Sequence, residues 1–523
     1  LVQRDWMSLS PVFSSEDIMR QMPTEGRRFQ AVDAVFKQIM AYVVKTPVCL
    51  EVAADFSQPL DKQLLTKLKK ASEFLELIKK GLSDYLEKKR AVFPRFYFLD
   101  DEGLLMILAQ ARDPTAVQPH LGKCFDNIAR LTFERKGEPG SSEDCEISEM
   151  HSGEKECVAL DKVIHPFGPA NNGNVEMWLL ALQETMKTAL HKIMIDAMHD
   201  YATNLRKKFV ISWPGATVLG VTGVYWTRMV ESGLDRAGVQ GLKDCVGELN
   251  KDLQDVVILV RGKLTKMQLF TLGAMTTLDV HARDVVDAMI EEGIEDKGQF
   301  TWTSQLRYYW YDTGPDRFTA PSEYSPENLV LKMIIAEYPY GWEYLGNSFR
   351  LVVTGLTDRC YRTLMMALHL NLGGAPAGPA GTGKTETTKD LSKAVAKQCV
   401  VFNCSDALTY FAMAKFFKGL SSSGAWACFD EFNRISLEVL SVVAQQVKQI
   451  QDSVNARMDR FFFEGTDLLL ALDPACWNAI TMNPGYAGRS ELPDNLKVLY
   501  RDVAMMVPNY TMIAEISLYS FGF

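Results

Sequence analysis

Gly378-Pro-Ala-Gly-Thr-Gly-Lys-Thr-Glu-Thr-Thr-Lys-Asp390 decides how the last third of this 523-residue chain is read. It fits G-x-x-x-x-G-K-[ST], with Gly378, Gly383, Lys384 and Thr385 at the fixed positions. Glycines let successive backbone N–H groups turn inward around phosphate oxygens without Cβ clashes. The helix that follows adds the favourable partial charge of its N-terminus. Lys384 supplies a point charge for the β- and γ-phosphates, and the Thr385 hydroxyl is a ligand for Mg²⁺. The run Gly378, Pro379, Ala380, Gly381, Thr382, Gly383, Lys384, Thr385 and Glu386 is therefore the expected nucleotide contact. Alone, the motif says only that a phosphate is bound.

Around it, short apolar runs alternate with helical stretches: 368–372, 399–403, 425–429, 478–482 and 504–508. Mostly apolar strands separated by helices predict a five-stranded parallel sheet covered on both faces. Forty-six residues after Lys384, the run Ala425-Trp-Ala-Cys-Phe429 ends in Asp430 and Glu431. Two carboxylates at the end of an apolar strand suit a hydrolytic site, with Asp430 toward the metal ion and Glu431 as general base. Asn483 closes a later strand, within Ile480-Thr-Met-Asn-Pro-Gly-Tyr486, and is placed to orient the attacking water. Pro484 and Gly485 end that strand in a loop at the sheet edge where ligands bind.

The preceding residues read differently. Residues 1 to about 90 are helical, and Leu64, Leu68, Ala71, Leu75, Ile78, Leu82 and Tyr85 form a seam packed lengthwise on other helices. Phe93-Pro-Arg-Phe-Tyr-Phe-Leu99 predicts a short aromatic strand or turn, and about 129–165 a β-meander with a turn at 137–141. Asn174 caps a long helix running to about Lys208, and the aromatic cluster 305–311 reads as core packing.

Composition narrows the class. The chain is 47% hydrophobic and 23% charged with a net charge of −9, which argues against a broad electrostatic grip on nucleic acid. Its length exceeds one hydrophobic core. The ten cysteines show no CxxC pair and no matched histidine spacing, so they read as reduced thiols and not as a zinc site. No stretch reaches the roughly 18 apolar residues of a membrane helix, and both ends read as cut from something longer.

Taken together, Gly378–Thr385, Cys428-Phe-Asp-Glu-Phe-Asn-Arg434 and Thr481-Met-Asn-Pro-Gly-Tyr-Ala-Gly-Arg-Ser-Glu-Leu-Pro-Asp-Asn495 resemble the first AAA+ module of the dynein heavy chain. Tyr344-Leu-Gly-Asn347 with Leu356-Thr-Asp-Arg-Cys-Tyr361 looks like the lead-in to that module. Pro11-Val-Phe-Ser-Ser-Glu-Asp-Ile-Met19, residues 77–90 and residues 93–98 look like the dynein linker.

The resemblance implies a mainly α-helical linker with a small β-meander over 1–335. An α/β P-loop domain over 336–523 would follow, the large part of the first module. It implies ATP and ADP with Mg²⁺ as ligands, Thr385 and Asp430 at the metal, Glu431 and Asn483 in catalysis, and Leu351 and Val352 at the adenine. It implies a microtubule motor whose ATP cycle drives linker bending, reaching microtubules through a stalk outside these residues. Implied partners are intermediate and light chains, other heavy chains and neighbouring AAA+ modules, with neither nucleic acid nor membrane. Implied locations are cytoplasm and cytoskeleton, and residues 512–520 and 118–125 look more like ciliary and flagellar heavy chains, hence the axoneme. Gly355 stands where the family usually has Pro. Alternatives are an AAA+ module that binds nucleotide without turnover, a cytoplasmic transport dynein, and a different AAA+ machine.

Overall fold

The apolar residues of the Leu64–Val92 helix recur in steps of three and four, and the computed structural model buries that face: Ala71, Leu75, Ile78, Leu82 and Leu86. It describes residues 1–45, 64–135, 145–311, 328–463, 469–483 and 491–522, and the turn expected at 137–141 lies outside them. These residues divide into two compact units. The first holds Leu1–His120, Arg135–Glu146 and His165–Leu180. Its Leu64–Val92 helix packs against Pro23–Lys45, with Phe13 stacked on Phe29 at 5.1 Å and Trp6 against Phe36. The expected aromatic strand or turn is a 3₁₀ segment, Pro94–Phe98, because Pro94 fixes φ at its first position while Phe93 and Phe96 pack edge to face.

The second unit holds Leu121–Glu134, Ile147–Ile164 and Ala181–Phe523. The meander is present as β1 (Arg130–Arg135), β2 (Cys145–His151) and β3 (Cys157–Ile164), in that order. The long helix expected to reach about Lys208 ends sooner. It spans Val175–Thr203, and a second helix starts at Arg206, whose guanidinium turns to Asp279 and Asp252. Helices Gly215–Ala237, Val239–Val260 and Lys266–Glu291 pack on one another around Val230, Leu242, Leu249, Val286 and Trp302. A sheet not foreseen follows: β4 (Arg307–Trp310), β5 (Leu329–Met333) and β6 (Ala336–Pro339), antiparallel throughout. The 305–311 aromatics are packed as expected, but from a strand.

The last part of this unit is a three-layer α/β domain. Its sheet contains β7 (Gly373–Ala377), β8 (Cys399–Asn403), β9 (Trp426–Asp430), β12 (Trp477–Ile480) and β13 (Tyr500–Ala504) in the order β13-β7-β12-β9-β8, all parallel. A small hairpin, β10 (Arg460–Phe462) with β11 (Leu469–Ala471), lies apart from it.

Two strands depart from expectation. Residues 368–372 are mostly the end of the Gly355–His369 helix and the turn after it; the strand is the Gly-Gly-Ala-Pro-Ala that follows. Neighbours explain that choice. A Cβ on Gly373 would lie 2.3 Å from the Tyr500 ring, and one on Gly374 2.4 Å from Leu364. Large side chains from both sides fill the space that strand side chains would take. The last strand also begins four residues before the expected 504, as its backbone pairs with β7 from Tyr500↔Gly373 to Ala504↔Ala377. No described helix is long and apolar enough to cross a membrane.

Candidate functional site

Strand order brings the three motifs to one edge. β7 runs into the phosphate loop, β12 beside it leads toward Asn483, and β9 on the far side of β12 ends at Asp430. The loop is shaped by Gly381 and Gly383, at φ +76° and +78°, a region that L side chains rarely adopt. At Gly378 the constraint is space: a Cβ there would sit 2.2 Å from the Met505 carbonyl. The Lys384–Ala394 helix starts directly after Gly383, and no side chain caps it. Its first-turn amides have no intrahelical acceptor, which leaves donors for an anion.

Lys384 is buried and donates from Nζ to the carbonyls of Gly378 (2.9 Å) and Pro379 (2.7 Å). Carbonyls carry only partial charge, so a phosphate oxyanion is the better acceptor for that ammonium. Thr382 is pinned by its hydroxyl to Pro379 O at 2.9 Å. Pro379, Ala380 and Gly381 are exposed at the loop surface. Glu386 is exposed too, and its carboxylate pairs with Lys389 on the helix exterior.

The carboxylates meet this loop. Thr385 Oγ1 donates to Asp430 Oδ1 at 2.7 Å, a pair of hard oxygens on adjacent elements that fits a Mg²⁺ ion. Thr481, to which sequence reasoning gave no role, organises both acids: its hydroxyl donates to Asp430 Oδ1 at 2.5 Å and accepts from Glu431 N at 3.1 Å. Glu431 adopts φ +53°, unusual for a residue with a side chain. Strain of this kind collects at functional sites. Its carboxylate is held by Asn483 Nδ2 at 3.2 Å and by a close ion pair with Arg434. Asn483 is buried, and its Oδ1 has no hydrogen-bond partner among the described residues. An orphaned acceptor beside a carboxylate is what a water awaiting deprotonation would satisfy. Pro484 and Gly485 lie outside the described residues.

Leu351 and Val352, expected at the adenine, are held by other elements. Leu351 N donates to Asp390 on the phosphate-loop helix at 2.9 Å. Val352 packs against the cluster of Leu253, Val280 and Ile516. A cavity of about 280 Å³, lined by Tyr201, Arg206, Thr222, Trp226, Arg350 and Tyr361 among others, takes no residue from the phosphate loop. The cysteines expected to be reduced thiols form no disulfide at the nine described positions, and Cys49 lies outside the described residues. Burial raises Cys399 to about 12 and holds Cys428 well above the usual thiol range. One pairing could not be read from spacing. The meander register sets Cys157 opposite His151, so that Glu149, His151 and Cys157 bring ligand atoms within 4.8 Å of one another.

Comparison with known proteins identifies related sequences. Residues 340–523 match the family described as the hydrolytic ATP binding site of the dynein motor region, and residues 1–197 match dynein heavy chain, N-terminal region 2. Dynein axonemal heavy chain 1 of Mus musculus is 52% identical over 521 residues, covering 100% of this chain and 11% of that protein. Dynein axonemal heavy chain 12 of Mus musculus is 53% identical over 522 residues, covering 100% and 16%. Dynein axonemal heavy chain 3 of Homo sapiens is 52% identical over 521 residues, covering 100% and 12%. The chain thus spans a small part of the length of these relatives.

Proposed function

The chain belongs to the dynein heavy chain family, and from that premise we propose that residues 336–523 hydrolyse ATP and that residues 1–335 are the linker the reaction moves. One observation carries the reading. Three motifs far apart in sequence converge at the C-terminal edge of a single parallel sheet, with Thr385 bonded to Asp430 and Glu431 bonded to Asn483.

Each residue then has a task. The amides from Gly378 to Thr385 cradle the phosphates, and Lys384 neutralises charge on the β- and γ-phosphates. Thr385 and Asp430 hold Mg²⁺, which supplies charge stabilisation at the transferring phosphoryl group when bound. Glu431 Oε1 accepts the proton of the attacking water, and Asn483 orients that water from the other side. Leu351 and Val352 line the base.

The whole-protein reading extends from there. The cycle bends and straightens the linker and alters microtubule affinity, in the ciliary or flagellar axoneme, alongside intermediate chains, light chains, other heavy chains and neighbouring AAA+ modules. The family and the axonemal names of its relatives support it. The test is ATP·Mg²⁺ binding at this site in the intact protein. Photolabelling with 8-azido-ATP should mark peptides within 340–400 and be competed by ATP. Labelling confined to other regions would overturn the reading.

A further inference from the structure

Asp390 lies on the phosphate-loop helix, six residues beyond Lys384 and so about 9 Å along its axis. Its side chain is 4% exposed, and that of Arg350 6%. The carboxylate receives four hydrogen bonds. Arg350 donates from Nε to Oδ1 and from Nη2 to Oδ2, both at 2.9 Å; Leu351 N donates to Oδ1 at 2.9 Å; Tyr361 OH donates to Oδ2 at 2.5 Å. That uses every acceptor site a carboxylate offers. Burial alone would raise this acid, but the charge and bonds of Arg350 outweigh it and hold the carboxyl below its ordinary value.

Three segments end on this one group: the lead-in 350–351, the Gly355–His369 helix through Tyr361, and the phosphate-loop helix itself. Lys393 adds a bond to Phe349 O at 3.3 Å, so that residues 349–351 are laid along the helix. A buried ion pair is a poor source of stability, since apolar residues of similar volume do as well. It is a good source of fixed geometry, because a bidentate fork tolerates little rotation.

We propose that Asp390, clamped by Arg350 and Tyr361, is a positioning residue that sets the backbone of Leu351–Val352 at a fixed distance from the phosphate loop, and so aligns the base of the nucleotide with its phosphates. This rests on the reading above, in which Leu351 and Val352 line the base. The clamp touches no phosphate. Its loss should weaken ligands that span both subsites and spare a ligand that occupies the phosphate subsite alone.

The experiment uses 8-azido-ATP labelling of the 340–400 peptides in the intact protein, with inorganic tripolyphosphate as competitor. Asp390→Asn is expected to raise the half-saturating concentration of 8-azido-ATP at least 10-fold, with tripolyphosphate competition within 3-fold of wild type. Tyr361→Phe, which deletes one donor at constant volume, should shift the nucleotide about 3-fold in the same direction. Should Asp390→Asn fail to fold, the paired Arg350→Met, Asp390→Leu exchange keeps the volume apolar, and the same selective loss is expected. Equal weakening of both ligands, or of neither, in Tyr361→Phe and the folded Asp390 variant overturns the clamp. Absence of labelling in the wild type at 340–400 would instead remove the function proposed above.

Discussion

The two ends of the phosphate-loop helix are treated in opposite ways. At its start the Gly383 cap offers no side-chain bond, and the first-turn amides lack an intrahelical acceptor. At its finish every carbonyl of the exit is taken. Tyr308 OH donates to Ala394 O at 3.0 Å, Gly341 N to Val395 O at 2.9 Å, and Glu343 N to Ala396 O at 3.0 Å. One end is left for a ligand, and the other is bolted to the β4–β6 sheet and the lead-in that follows it.

The largest effect should come from the open end. Lys384→Ala removes the charge aimed at the phosphates, and ATP affinity at this site is expected to fall on the order of 100-fold in a titration of 8-azido-ATP labelling. Stability is expected to change less than affinity, because the ammonium's bonds to the Gly378 and Pro379 carbonyls and the Thr382 hydroxyl all stay within the phosphate loop. The bolted end should respond the other way. A Cβ on Gly341 would lie 2.4 Å from Ala396 O, a backbone atom that cannot step aside cheaply. Gly341→Ala is expected to cost about 1–3 kcal/mol in denaturant unfolding, with the phosphate loop itself intact.

A milder test uses pH. Glu156 accepts from Gly215 N at 2.8 Å and from Tyr344 OH at 2.8 Å, so it too fastens the lead-in to the preceding helices. Burial raises its carboxyl above the ordinary value, against the lowering pull of those two donors. For an acid raised by folding, the unfolded chain releases the proton first. Stability therefore falls as pH climbs from about 4.3 through the folded value, and the loss is complete above it. Glu156→Gln abolishes that slope. Its Tm relative to wild type should improve from pH 4 to pH 7. The smallest effect is at Gly355, first residue of its helix, where a Cβ meets nothing within 4 Å and Thr354 already holds the extended backbone that precedes proline. Gly355→Pro should add about 0.4–1 kcal/mol.

The same contrast separates what could be read in advance from what could not. The open end is local chemistry: glycines, Lys384 and Thr385 occupy consecutive positions, and Asp430 and Glu431 follow an apolar run directly. Such patterns survive without knowledge of neighbours. The bolted end is made of partners distant in sequence. Asp390 meets Arg350 across 40 positions, and Thr481 reaches Asp430 across 51. Neither spacing has a signature. Strand β7 failed for a related reason, since Gly-Gly-Ala-Pro-Ala has no strand character until Leu364, Trp477 and Tyr500 close over it. The helical seam from Ala71 to Leu82 was legible because one periodicity decided it.

Glu431→Gln in the intact protein tests the central claim most directly, by single-turnover hydrolysis beside microtubule gliding. Gln keeps the bond to Asn483 but cannot take the water's proton. Retained ATP binding is expected, with hydrolysis at this site slowed on the order of 10²–10⁴-fold and gliding abolished. Hydrolysis and gliding at wild-type rates would contradict it, and would mark the site as one that binds nucleotide without turning it over.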